Sequence, residues 1–522
     1  MILLSNVKLP LETDFNNLKS ALRLKGVNIK SATLYKRSVD ARKKDDLHFC
    51  CSVLIETDND SAAVKRLKNA RLYSEPSYEY KKCDKTPENR PVVVGFGPAG
   101  IFAAYTLAKA GLCPIVLERG RDVDTRTADV LAFWKGGELN PESNVQFGEG
   151  GAGTFSDGKL TTGIKDPRCR EILKVFHRFG ADRSILTDAK PHIGTDILAV
   201  VIKNIRNEII SLGGEVRFGH KLASINTENG RICSLCVEAD ENYTLAADRV
   251  ILAIGHSARD TFYMLRNKGV SMIKKPFAVG FRIEHPQSLI NRALYGEFAN
   301  HPALSAADYK LAVHLENGRG VYTFCMCPGG FVVNASSENG MTAVNGMSYM
   351  ARDGENANSA VLTEVLPEDL PEDILSGVEL QRDIERAAYD LTGGCGVPVS
   401  TLSNYLYKKE SEPICSPTVK PRAVYSDIEK IFPEFINRNL KEGLYLLDKK
   451  LSGFASDGAV ITAPESRSSS PVRIVRDETM NSVAVLGLFP SGEGAGYAGG
   501  IMTAAIDGIQ CAEALIDLLN AQ

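Results

Sequence analysis

Pro91-Val92-Val93-Val94-Gly95-Phe96-Gly97-Pro98-Ala99-Gly100 decides the fold. Four apolar or β-compatible residues read as a strand buried on both faces. The strand enters a Gly-x-Gly-x-x-Gly turn, and Ile101 to Ala110 has helical spacing, closed by Gly111. A second apolar strand, Pro114-Ile115-Val116-Leu117, ends in Glu118, 18 residues past Gly100. Each part has a physical task. Gly95 permits the tight strand-to-helix turn, and Gly97 lets backbone approach a pyrophosphate. Gly100 lets helix and strand pack closely, and the helix N-terminus, at Pro98 and Ala99, offers free N–H groups to that anion. Glu118 stands where an acid binds a ribose hydroxyl, and Arg119 follows it. The spacing predicts a dinucleotide site on an α/β, Rossmann-like fold.

Working outward, Glu215 to Ala223 and Arg231 to Glu238 read as strands of a β-meander split by Asn229-Gly230. Val250 to Ile254 returns to the parallel sheet and ends in Gly255. Val483 to Phe489 reads as another buried strand, running into Pro490-Ser491-Gly492-Glu493, and a helix from Ile501 to Leu519 follows Gly499-Gly500. This arrangement resembles flavoproteins of the glutathione-reductase type. The resemblance implies that the first βαβ unit binds the ADP half of FAD and that Gly255 belongs to a second glycine motif. Gly492 and Glu493 would hold the ribityl chain, and Gly500 and Ile501 would point the last helix at the flavin ring. A closer resemblance rests on residues 148–160, Phe324-Cys325-Met326-Cys327-Pro328-Gly329-Gly330 and Asn345-Gly346-Met347-Ser348. These look like signatures of the bacterial uncharacterised FAD-dependent dehydrogenase family. That likeness implies FAD, oxidoreductase class and a ferredoxin-like front domain, and supplies no substrate.

Residues 148–158 pack five Gly into eleven positions, as suits backbone running against a flat ring or phosphates. Gly153 and Lys159 are expected at the cofactor, and Lys159 with Asp157 could instead be a surface ion pair. Cys325 and Cys327, two apart on a strand, should share a face near a turn, as a thiol pair beside the flavin or as two small buried residues. With Lys159 they are the candidates for catalysis. His256, His285, His314, Arg467 and Arg473 are weaker ones, each with a structural alternative. The twelve Cys show no metal-ligand spacing, since Cys233 and Cys236 sit three apart on a strand, and no metal is expected.

Composition sets the limits. The chain has 522 residues, 44% hydrophobic and 24% charged, which excludes a disordered chain, a coiled coil or a collagen-like repeat. No run approaches a membrane span, and the first residues lack a secretory pattern, so a cytoplasmic home is expected. Residues 1–85 carry 17 Lys and Arg against 11 Asp and Glu, while the net charge of the chain is −3. A basic, ferredoxin-like βαββαβ module is therefore expected over 1–85, with a helix from Asp14 to Lys25 stopped by Gly26 and a last strand from Arg71 to Tyr80. A lid for the flavin fold, docking of a protein partner and RNA binding are its three readings. The missing aromatic signature argues against nucleic acid. The FAD fold is expected over 88–280, with a helical segment at 166–210, and again over 441–522. An α+β substrate domain is expected as an insert at 281–440. The expected function is oxidation or reduction of an organic small molecule through non-covalent FAD. A flavin-bearing redox sensor and a nucleic-acid-modifying flavoprotein are the alternatives.

Overall fold

The computed structural model describes residues 1–522 apart from 23, 25, 26 and 522. Val92–Val94 lies at the centre of a five-stranded sheet. Across it run Leu488–Pro490, Val250–Leu252, Val92–Val94, Ile115–Glu118 and Glu215–Phe218, every neighbouring pair parallel. The pleat sends Val93 one way and Val92 and Val94 the other. Val93 packs among the helices Pro98–Lys109, Thr195–Ser211 and Ile501–Ala521. Val92 and Val94 pack against the meander of Lys221–Glu228, Arg231–Glu238 and Tyr243–Ala246. Gly508 lets the last helix close on the first, because a Cβ there would lie 2.1 Å from the Ala99 carbonyl oxygen.

Two strand expectations are corrected. The stretch 215–223 is two strands: Gly219, with φ of +72°, ends the parallel one and starts the meander. The stretch 483–489 contributes only Leu488–Pro490. Val483 and Leu486 are exposed, and Leu486 bonds the meander hairpin, donating to the Gly230 carbonyl (2.9 Å) and accepting from Ile232 (3.0 Å). The apolar run there caps a hairpin rather than entering the sheet.

A second sheet has seven strands. In order they are Ala312–His314, Gly320–Cys327, Asn356–Val365, Phe277–Pro286, Val460–Glu465, Val397–Thr401 and Ala423–Tyr425. It reaches beyond 281–440 on both sides, since two of its central strands begin at Phe277 and Val460.

The front residues form a four-stranded antiparallel sheet in the order Ile29–Asp40, His48–Thr57, Ile2–Leu9 and Ala70–Leu72. Its first helical segment is a turn at Phe15–Asn17 and a short helix at Leu18–Ala21, capped by Asp14; the expected stop at Gly26 lies outside the described residues. The last strand is shorter than Arg71 to Tyr80. Tyr78 and Tyr80 leave the sheet because their hydroxyls find Glu513 (2.6 Å) and Glu171 (3.1 Å) on helices of the main body. Tyr35 packs on Tyr73, and Phe49 is buried, so neither presents a free stacking face. The sheet edge docks on residues 187–189: the Arg37 N–H donates to the Thr187 carbonyl (2.7 Å), the Arg37 carbonyl accepts from Ala189 (2.8 Å), and the guanidinium holds Asp188 (2.8 Å).

Candidate functional site

A cavity of about 720 Å³ opens at the carboxyl edge of the parallel sheet and extends to the seven-stranded one. That volume is in the range of about 300–1,000 Å³ that suits a sizeable organic ligand. Of the residues singled out for a cofactor, Gly95, Gly97, Pro98 and Ala99 line it, with Glu118, Arg119, Gly153 and Lys159. Gly255, Glu493, Gly500 and Ile501 line it as well. Gly100 and Gly492 do not. They are packing positions: a Cβ on Gly100 would lie 1.9 Å from the Gly95 carbonyl oxygen, and one on Gly492 2.8 Å from Ala99 Cβ.

Gly95 has φ of +94°, and a Cβ there would stand 2.3 Å from the Ala253 carbonyl oxygen, so the turn requires glycine. Gly97 differs. Its Cβ would meet only Gly151, at 3.6 Å, and would otherwise project into the cavity. Gly255, Gly499 and Gly500 likewise line the cavity with nothing within 4 Å of a built Cβ. The cradle is bare backbone where a cofactor would lie. Glu118 is buried and accepts three N–H bonds, from Phe96 (2.7 Å), Gly120 (2.9 Å) and Gly148 (2.9 Å). A carboxylate offers about four acceptor sites, so one is left for a ligand hydroxyl. Arg119 is committed elsewhere: it bonds Glu142 (2.7 Å) and both oxygens of Asp260, and stacks on Phe147.

The glycine-rich loop is held by Arg126, which sequence reading missed. This fully buried side chain on the helix Val123–Trp134 donates to five carbonyls. They are those of Asn144 (2.8 Å), Val145 (2.8 Å), Gly148 (3.3 Å), Glu149 (2.7 Å) and Gly151 (3.0 Å). Burial pulls its pKa down to about 10. A signal existed: Val123, Arg126, Val130 and Trp134 follow helical spacing, so the arginine stands on the apolar stripe.

The last motif is fixed by a second missed group. Asp507 accepts the Gly492 N–H (2.7 Å) and the Ser491 hydroxyl (3.3 Å), and it pairs with Arg476 (2.6 Å). Arg476 stacks on Tyr497 at 3.7 Å. Glu493 is thereby turned into the cavity, with His256 Nδ1 3.4 Å from its Oε2. Arg467 lines the cavity but grips the buried Glu385 (2.6 Å), and Arg473 donates to the Gly496 carbonyl. His285 is buried and bonded to the Phe454 carbonyl, and His314 lies outside the cavity.

At the far end the strand Gly320–Cys327 breaks register between Phe324 and Cys327, and Cys325 takes φ of +43°. A left-handed non-glycine residue costs about 1–3 kcal/mol, and such strain gathers at functional sites. This bulge breaks the regular pleat assumed for the two thiols, although a hydrogen bond still brings their side chains together. Cys325 lines the cavity, while Cys327 is buried behind it. A hydrogen bond from Cys327, against the opposing effect of burial, and the charges of Lys159 and Arg282 hold the Cys325 thiol below its ordinary range. Burial pushes Cys327 up. Lys159 sits 2.5 Å from Asp157 Oδ2 and donates to the Met326 carbonyl. Iodoacetamide should therefore alkylate Cys325 with a rate midpoint at least about one pH unit lower than in the denatured chain. Peptide mass spectrometry across pH reads this, and equal midpoints would refute the thiolate assignment.

Residues 276–468 match the family described as FAD-dependent protein, C-terminal domain-like. A protein of Clostridium beijerinckii, described as uncharacterized, is 47% identical over 99% of this chain and 98% of its own. Among solved structures, a glycerol-3-phosphate dehydrogenase from Bacillus halodurans complexed with FAD is 13% identical, with a TM-score of 0.36. That comparison covers 84% of this chain and 65% of the other. A geranylgeranyl bacteriochlorophyll reductase-like protein from Thermoplasma acidophilum is 13% identical over 82% of this chain and 78% of the other, with a TM-score of 0.37. Among the described residues no helix is long and apolar enough to cross a membrane. Matched from end to end, the chain belongs to the same family as the Clostridium beijerinckii protein, and FAD is its cofactor.

Proposed function

We propose that this chain is an FAD-dependent oxidoreductase whose small organic substrate is handled at the Cys325–Lys159 end of the cavity. One observation carries the reading: a single cavity joins the Gly95–Ala99 turn and Glu118 to Lys159 and Cys325. FAD, when bound, supplies two-electron chemistry by hydride or electron transfer. The protein's residues do the rest. Gly97, Pro98 and Ala99 receive the pyrophosphate, Glu118 a ribose hydroxyl, and Glu493 the ribityl hydroxyls. The helix starting at Ile501, whose N-terminus lies at the cavity, would offer about half a positive charge to the ring. Cys325 holds or gives a proton at Sγ, and Cys327 steadies the thiolate form. Photoreduction without oxygen, followed by a panel of oxidants, tests the reading; a flavin that no organic oxidant reoxidises would favour a redox sensor.

The sensor reading has one observation in its favour. The segment docked on Arg37 runs on to residues 191–193, where the Leu160 N–H donates to the Pro191 carbonyl (2.9 Å) and Ile193 donates to the Gly158 carbonyl (3.1 Å). The front module is thus tied to the loop that carries Lys159.

We divide the chain into a ferredoxin-like module at 1–85, an FAD-binding part at 88–275 and 469–522, and a substrate part at 276–468. The front sheet order and the bounds of the seven-stranded sheet support this. No described residue of 1–85 lines the cavity, so residues 88–522 expressed alone should retain FAD. A soluble but colourless fragment would show that the module supports the cofactor fold.

The described residues hold one parallel five-stranded sheet, in which Val92–Val94, Pro98–Lys109 and Ile115–Glu118 form the dinucleotide-type βαβ unit. NADH and NADPH should therefore reduce the flavin slowly. Saturable bleaching within milliseconds in anaerobic stopped flow would reveal a nicotinamide site.

A further inference from the structure

At the far end of the cavity two cations share one carboxylate. Asp157 is fully buried and serves two cations. Lys159 Nζ lies 2.5 Å from Oδ2; Arg352 Nε lies 2.9 Å from Oδ1, and its Nη2 bonds Oδ2. Both cations line the cavity, and both keep donors in reserve. An ammonium has three N–H donors. Lys159 spends one on Asp157 and one on the Met326 carbonyl, leaving a third. Arg352 Nη1 makes no hydrogen bond among the described residues. Burial opposes the charge on Lys159, but Asp157 together with the Cys327 and Cys325 thiols more than offsets it, so the ammonium stays protonated.

Backbone geometry points the same way. Among the described residues eight non-glycine positions have positive φ, and Cys325 (+43°) and Arg352 (+50°) are the two that line the cavity. Strained backbone thus delivers a thiol and a guanidinium to one chamber. Lys310, exposed at the wall, adds a cation with no ion-pair partner among the described residues. Phe324, Met326, Ala335 and Val344 supply apolar wall beside the polar Thr323, Tyr309 and Asn345, while the lining carboxylates Asp308 and Glu465 are paired with Lys190 and Arg282. The FAD pyrophosphate has its own receptor at Gly97–Ala99, so these cations are not needed there.

We infer that Lys159 and Arg352 are the recognition site for the carboxylate of an organic acid substrate whose apolar part rests against Phe324 and Met326. A guanidinium fork and a point charge side by side suit a planar two-oxygen anion. The inference deepens the oxidoreductase reading and rests on it.

The test uses the full-length yellow holoprotein. Sodium phenylacetate is titrated at constant ionic strength and followed by calorimetry and by the flavin spectrum, with phenylacetamide as the neutral isostere. Saturable phenylacetate binding is expected, with the amide at least about tenfold weaker. Arg352→Gln and Lys159→Gln should each weaken phenylacetate by roughly 10- to 100-fold while FAD content stays at the wild-type level. Arg352→Lys, keeping the charge without the fork, should lose less. No saturable binding, equal binding of the amide, or unaltered affinity in the variants would overturn the inference. So would variants that lose FAD rather than phenylacetate, because the cations would then serve the cofactor. Should a glutamine variant fail to fold, the contrast between acid and amide on the wild-type protein decides alone. A colourless wild-type protein would be a different failure, that of the cofactor reading itself.

Discussion

Gly97→Ala is expected to fold and to purify without its yellow colour. The backbone there has φ of −79°, which alanine adopts freely, and the added Cβ would touch only Gly151, at 3.6 Å. The loss of glycine at a helix N-cap costs a few tenths to about 1 kcal/mol, partly returned by the stiffer unfolded chain. The melting temperature of the cofactor-free protein should therefore move by only a few degrees. The same methyl enters the cavity at the position proposed for the pyrophosphate. Overpacking of about 1–3 kcal/mol, at a factor of ten per 1.4 kcal/mol, predicts FAD affinity lower by roughly 10- to 100-fold. Gly100→Ala should fail differently, by misfolding, because its Cβ would lie 1.9 Å from the Gly95 carbonyl oxygen. Visible absorbance and thermal melts of the two variants separate the roles. Normal FAD content in Gly97→Ala would remove the pyrophosphate from this turn.

Arg126→Met is expected to cost more than about 4 kcal/mol and to empty the cavity of FAD. The substitution keeps an unbranched stem on the apolar stripe and deletes every donor. Five carbonyls between Asn144 and Gly151 would lose the guanidinium together, and of these Gly148 and Glu149 would keep a second donor, the Gly151 N–H and the Thr154 hydroxyl. A buried acceptor left without a bond costs about 1–3 kcal/mol, and losses past 4–5 kcal/mol belong to broken buried networks such as this. Gly148 was shaped around the guanidinium: a Cβ there would lie 2.4 Å from Arg126 Cδ. The loop would therefore not simply relax into the vacated space. Denaturant unfolding and FAD titration measure the two effects, and a stable, yellow variant would show that the loop holds its own shape.

What could be read from sequence was local. The Gly95–Gly100 turn, its flanking strands and Glu118 are specified within 28 residues, because the turn, the helix N-terminus and the acid are consecutive in one βαβ unit. The Ser491–Glu493 motif was legible for the same reason, following a strand and preceding a helix. What failed depended on distant partners. Asp157 and Arg352 are 195 residues apart, and nothing in either neighbourhood announces the pairing. Asp507 looks like any helical aspartate until the Gly492 N–H and Arg476 are seen on it. The shared face of Cys325 and Cys327 assumed an unbroken pleat, and a bulge in that strand leaves no sign in its apolar composition. The overlong strands at 71–80 and 483–489 erred because apolar and aromatic residues there satisfy hairpins and helices rather than a sheet.

A crystal structure of the yellow holoprotein would show where the flavin lies. Isoalloxazine density is expected between the N-terminus of the helix Ile501–Ala521 and the wall of Cys325 and Lys159, with the pyrophosphate over Gly97. FAD density whose ring end lies away from Cys325 and Lys159, or whose pyrophosphate avoids Gly97, would contradict this placement.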